Sequence, residues 1–126
     1  MLKLLLLILT TTFISACTDN KQISTTETLG KEAFSPKKWQ NASQEIRATL
    51  LHSFLMQYDL KSLSTEQLIS LLGPPTAYYE YDEIPAYFVG SEDISSMYGK
   101  GYLVAFPFDK STGKIEHIVI IPEVNQ

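Results

Sequence analysis

The sequence predicts an α+β domain of two layers, a helix hairpin packed on a three- or four-stranded antiparallel sheet. Three observations carry that expectation. Apolar residues recur at helical spacing through Ile46, Leu50, Leu51, Phe54, Leu55 and Tyr58, and again through Leu68, Leu71 and Leu72. After Pro75 the pattern changes to aromatic and β-branched runs broken by turn residues. Helices and strands therefore come in two separate blocks, and a chain so ordered covers one sheet face with its helices.

The best-defined element is the second helix, within Leu63-Ser64-Thr65-Glu66-Gln67-Leu68-Ile69-Ser70-Leu71-Leu72-Gly73-Pro74-Pro75. Ser64 is a good N-cap and Gln67 follows three residues later, so the pair is spaced for a capping box. Leu63 and Leu68 flank the cap as a hydrophobic staple. Gly73 suits the left-handed conformation that ends a helix, and Pro74 and Pro75 forbid its continuation.

The helix before it begins near Trp39, with Asn41 or Ser43 as N-cap, and runs to about Tyr58. Arg47, His52 and Gln57 fall off its apolar stripe. Downstream, Ala77 to Tyr81 and Ala86 to Val89 read as strands joined by Asp82-Glu83-Ile84-Pro85, and Gly90 to Lys100 reads as a loop. Gly101 to Phe108 alternates, with Tyr102, Val104, Phe106 and Phe108 on one face and Leu103 and Ala105 on the other. A turn at Asp109 to Gly113 leads into a closing strand, Lys114 to Ile121, on which His117 shares a face with Ile115, Val119 and Ile121. Pro107 lacks an N–H, which places it at a sheet edge or bulge.

The first residues carry an address rather than a fold. Lys3 precedes an apolar run, Leu4 to Leu9 with Phe13 and Ile14, of signal-peptide length and shorter than the roughly 20 apolar residues that span a membrane. The segment ends at Ile14-Ser15-Ala16-Cys17, which resembles the lipobox of bacterial lipoprotein precursors. That resemblance implies a signal peptide over 1–16 and lipidation of Cys17, the chain's only cysteine. Acyl chains there would anchor the chain to a membrane at roughly 0.8 kcal/mol per buried methylene. Thr18, rather than aspartate, follows the cysteine, which under the lipoprotein sorting rule implies the outer membrane, facing the periplasm. Residues 17–35 are polar and aperiodic and read as a flexible tether, spanning on the order of 25 Å. A single domain over 36–126 is then expected.

Chemistry is sparse. The formal charge is −4 and the only adjacent basic pair is Lys37-Lys38, which argues against nucleic acid. His52 and His117, without a second cysteine, make a poor zinc site, so no metal or cofactor is expected. No serine sits in a nucleophile elbow and no glycine loop has the phosphate-binding context. Glu80, Asp82, Glu83, Glu92 and Asp93 form an acidic cluster that lacks calcium-loop spacing and reads as a solvated edge. The sequence thus points away from an enzyme. Tyr78, Tyr79, Tyr81 and Tyr87 interleave with these acids and are the candidate partner-binding residues, because tyrosine supplies rigid amphipathic contact area.

With its lipobox, polar tether, Leu63–Leu68 helix start, Leu71-Leu72-Gly73-Pro74-Pro75 helix end and Asp109 to Lys114 turn, the chain resembles the BamE (SmpA/OmlA) group of small outer-membrane lipoproteins. Where that group shows a Gly-Met-Thr-like start, this chain has Lys61-Ser62-Leu63-Ser64. The resemblance implies a two-helix, three-strand fold and a protein-binding accessory role in outer-membrane protein assembly. A Leu-Gly-x-Pro helix end also occurs in inhibitor folds, so the alternative is an inhibitor or ligand-binding lipoprotein acting on a periplasmic enzyme or cell-wall component.

Overall fold

A computed structural model of the chain describes residues 23–80 and 83–125. Cys17 and the leader before it lie outside the described residues, as does Tyr81. The elements are α1 (Pro36–Asn41), α2 (Gln44–Gln57), α3 (Thr65–Leu72), β1 (Ala77–Tyr79), β2 (Ile84–Val89), β3 (Ser95–Ser96), β4 (Gly99–Lys100), β5 (Tyr102–Ala105) and β6 (Val119–Ile121), with 3₁₀ turns at Glu27–Leu29 and Leu60–Ser62. β1, β2, β5 and β6 form one antiparallel sheet in that order, while β3 and β4 form a separate small hairpin. The α+β architecture is as the sequence predicts.

α3 forms for the reasons its residues give. The Ser64 side chain accepts from the Gln67 N–H at 3.2 Å, and the Gln67 Oε1 accepts from the Ser64 N–H at 2.9 Å, closing the capping box. Leu63, Leu68 and Leu72 are buried, and Gly73 ends the helix at φ 78°. α1 was not foreseen. Ser35 caps it and Pro36 occupies its first turn, where a missing N–H costs nothing. It carries Trp39, fully buried, under the Arg47 guanidinium, whose carbon lies 5.2 Å from the ring centroid. Gln40 of α1 donates to the Leu71 carbonyl at 3.3 Å, supplying a partner to the end of α3.

The core fills the space between helices and sheet. Trp39, Leu51, Phe54, Leu68, Leu72, Tyr87, Val89, Val104 and Phe106 are all fully buried there. Tyr102, Val104, Phe106 and Phe108 face this core, and Leu103 and Ala105 face the other way, as alternation predicts.

Three expectations need correction. Residues 23–35, expected as tether, are packed on α2 instead. Phe34 is buried against Trp39 and Phe54, and Thr26 is fully buried. The cause lies in the polar residues of α2 that fall off the apolar stripe. The Ser53 hydroxyl accepts from the Phe34 N–H at 2.9 Å, Gln57 donates to the Phe34 carbonyl at 3.0 Å, and the Thr49 carbonyl accepts from the Glu32 N–H at 3.0 Å. The His52 Nδ1 lies 3.0 Å from the Ile23 carbonyl oxygen. Gly30 permits the crossing: a Cβ there would come within 2.8 Å of Thr49, and its φ is +137°. This strap is part of the domain, not a spacer.

Ile46 is the second correction. Its spacing puts it on the apolar stripe, yet it is 54% exposed, at the wall of an open groove beside α1 and the strap. Third, the closing strand is shorter than Lys114 to Ile121. Residues 113–115 leave the sheet to serve the start of α3: the Gly113 carbonyl accepts from the Thr65 N–H at 3.1 Å, and the Ile115 N–H donates to the Leu63 carbonyl at 2.9 Å. Residues 116–118 belong to no strand and the alternation breaks there, so Ile115, Ile118 and Ile120 face the main core, Val119 and Ile121 face the other side, and His117 is exposed. Among the described residues, no helix is long and apolar enough to cross a membrane.

Candidate binding site

The four tyrosines do not form one surface. Tyr87 lies on β2, an inner strand, and alternation turns it inward together with Val89. It is fully buried, edge-on to Trp39 and Phe106 at 5.9 and 6.2 Å, and its hydroxyl donates to the Gly73 carbonyl at 2.7 Å. That bond satisfies a carbonyl at the end of α3 which has no helical partner. Burial raises its phenol above the ordinary tyrosine range, opposed by the positive charge of Arg47. Tyr87 is therefore removed from the candidate contact residues: its position in the core leaves no surface for a partner.

Tyr78 and Tyr79 are neighbours in sequence and point to opposite faces, the period-two consequence of a strand. Tyr78 is 50% exposed. Tyr79 is half-buried on the outer sheet face, its ring 5.7 Å from that of Tyr98, and burial followed by the adjacent Glu80 raises its phenol.

β1 is an edge strand, and its hydrogen-bonding directions follow from Pro85. Tyr78 lies opposite Pro85, whose carbonyl accepts from the Phe106 N–H at 3.1 Å on the far side of β2. Pro85 therefore offers β1 nothing, Tyr78↔Pro85 is a non-hydrogen-bonded pair, and the Tyr78 N–H and C=O are directed off the open edge. An aromatic side chain and a pair of unsatisfied backbone groups occupy one residue. This is the geometry to which a further extended segment adds by strand pairing.

The turn after β1 is held in an uncommon conformation. Glu80 has φ +49°, in the left-handed region, and the Glu83 N–H donates to its carbonyl at 3.4 Å. Lys110 reaches Glu83 at 2.8 Å and ties this turn to the Asp109–Gly113 turn. The acidic cluster of the sequence divides. Glu80 and Glu83 precede β2, whereas Glu92 and Asp93 follow it and line a small depression of ≈ 310 Å³ with Ser43, Gln44 and Glu45. A six-residue strand, about 20 Å long, lies between them. Among the described residues, no group of three or more His, Cys, Asp and Glu side chains could hold a metal ion.

Sequence reasoning missed the outer face of the sheet as a feature. Ala86, Leu103 and Ala105 are fully buried there, surrounded by half-buried Ala77, Tyr79, Ile84, Phe88, Val119 and Ile121, and this cluster draws no residue from the helices. Over it lies the β3–β4 hairpin, with Tyr98 against Tyr79 and Gly99 close on the Phe88 ring. A signal was present. Strand β5 is apolar on both faces, whereas an antiparallel sheet with one wet face alternates with polar residues.

In comparisons with known proteins, no family model, no curated protein and no solved structure matches this chain. The site's own geometry must carry the argument. It offers contact area and strand-pairing groups.

Proposed function

We propose that this chain is a lipid-anchored binding module, held through acyl chains on Cys17 in the bacterial outer membrane and facing the periplasm, where it contacts a protein partner as an accessory of outer-membrane protein assembly. The observation that carries the anchor is the Ile14-Ser15-Ala16-Cys17 sequence at the end of an apolar leader of signal length. Support for binding comes from the β1 edge, where Tyr78 combines a half-exposed ring with outward backbone groups. Residues 23–35 are docked on α2, so under this reading they do not add to the reach of the anchor.

The test is fractionation of cells expressing the full chain and its Cys17→Ala variant, followed by chemical crosslinking of the outer-membrane fraction. The proposal expects the parent chain in outer membranes, crosslinked to components of the β-barrel assembly machinery, and the variant released from that fraction. Retention of Cys17→Ala in the membrane contradicts the anchor. Recovery of a periplasmic hydrolase instead of assembly components replaces the accessory role with inhibition.

A further inference from the structure

The helical layer carries a second surface that the reading above does not use. An open groove of ≈ 740 Å³ lies between the strap, α1 and the first turns of α2. Leu50 and Ala42 contribute apolar floor, Ile46 is an apolar wall, and Lys37, Lys38 and Asn41 stand at the rim. We propose that this groove is a docking site for an acidic amphipathic polypeptide segment, one large apolar side chain seated against Ile46 and Leu50 and flanking carboxylates paired with Lys37 and Lys38.

Four observations lead there. Ile46 holds a position on the apolar stripe of α2 yet is 54% exposed, and with Ala42 and Leu50 it gives the groove a contiguous apolar lining rather than a lone exposed side chain. The charge is the reverse of the chain's as a whole, which is −4. On the groove two lysines face one carboxylate, Glu32, and among the described residues the ion pairs are Lys31–Glu27 and Lys110–Glu83, leaving Lys37 and Lys38 without an acidic partner. Lys38 reaches only the Ala33 carbonyl, at 3.5 Å.

The groove is also open along its length. A small amphiphile would stay largely wet in it, whereas ligand pockets bury most of their ligand. A polypeptide covers such a surface with its own rim residues, the apolar anchor at the centre and charged groups around it. Finally, the Asn41 side chain is exposed and makes no hydrogen bond within the described chain. A carboxamide both donates and accepts, so it matches the N–H and C=O of a peptide backbone.

This site does not depend on the anchor at Cys17 or on the β1 edge, and its test is separate. The full chain, immobilised on beads, is panned against a random peptide display library. The inference expects enriched peptides in which a Leu, Ile, Met, Phe or Trp is flanked by Asp or Glu. A synthetic copy should bind Ile46→Glu and the Lys37→Glu, Lys38→Glu double variant about tenfold or more weakly, and Glu32→Gln more tightly. These positions are on the surface, and unchanged circular dichroism and thermal melting of each variant verify the fold. Absence of enrichment, enrichment of basic or uncharged peptides, or binding indifferent to Ile46→Glu overturns the inference. So does binding of the chain to anionic vesicles that the Lys37→Glu, Lys38→Glu variant loses while its peptide binding is unchanged, which would assign the groove to a lipid surface.

Discussion

The two faces of the sheet are built from the same strands and do opposite work. The inner face presents large rings, Tyr87 and Phe106, to Trp39 and Phe54 of the helical layer, and all four are fully buried. The outer face has a floor of Ala86, Leu103 and Ala105 and a half-buried margin of Tyr79, Ile84, Phe88, Val119 and Ile121. Close-packed aromatics make the inner face the source of stability. The outer face and the β1 edge beside it hold less of the core, so substitutions at their half-buried margin should cost less. Tyrosine shows the difference most plainly: Tyr87 is a structural member, and Tyr78 is a surface residue at the edge of the same sheet.

Substitutions can break or sharpen this contrast. The largest effect is expected for Trp39→Ala, which empties a fully buried site and should cost about 3–5 kcal/mol in denaturant unfolding. Phe88→Ala, on the outer face, should cost about 1 kcal/mol, because only part of its surface leaves water on folding. Similar losses at the two positions would mean that the outer face is a second core.

The hydroxyl comparison is finer. Tyr87→Phe removes the donor to Gly73 and should cost about 1–2 kcal/mol, while Tyr78→Phe should be close to neutral. The pH dependence follows from the raised Tyr87 phenol. The folded state holds its proton more tightly than the unfolded state, whose phenol ionises near pH 10. The stability that Tyr87 contributes is therefore fully present below about pH 10 and is lost as pH rises toward its folded value. The stability of the parent chain against denaturant should fall more steeply above that pH than the stability of Tyr87→Phe.

Ser64→Ala opens the capping box and should cost about 1 kcal/mol, testing α3 without touching either face. One substitution should be a gain. Glu80→Gly relieves a left-handed residue and should stabilise by about 0.5–1 kcal/mol, read as a small rise in thermal midpoint.

Local signals were legible wherever a few adjacent residues decide the outcome. Ser64, Gln67 and Gly73 delimit α3 by their own chemistry, and the alternation from Tyr102 to Phe108 assigns each residue to the correct face. What escaped depends on distant partners. The strap looks polar and aperiodic, and it is ordered because Thr49, Ser53 and Gln57 of α2 meet its backbone and Phe34 enters the core. His117 alternates correctly on paper, but it lies in the irregular stretch 116–118 between the bridged Lys114-Ile115 pair and β6. The candidate site was legible in part. Residue type and spacing singled out the tyrosines, yet whether each faces core or solvent follows from strand order, and that order placed β2 inside and β1 at the edge.

The central claim is that the edge at Tyr78 is a contact surface in the assembled cell envelope. A photoreactive phenylalanine analogue incorporated at Tyr78 of the full chain, with the same substitution at exposed Glu116 as the control, tests it directly. The account predicts one discrete protein adduct from Tyr78 on irradiation of intact cells and none from Glu116. The absence of an adduct at Tyr78, or the same adducts from both positions, would contradict it.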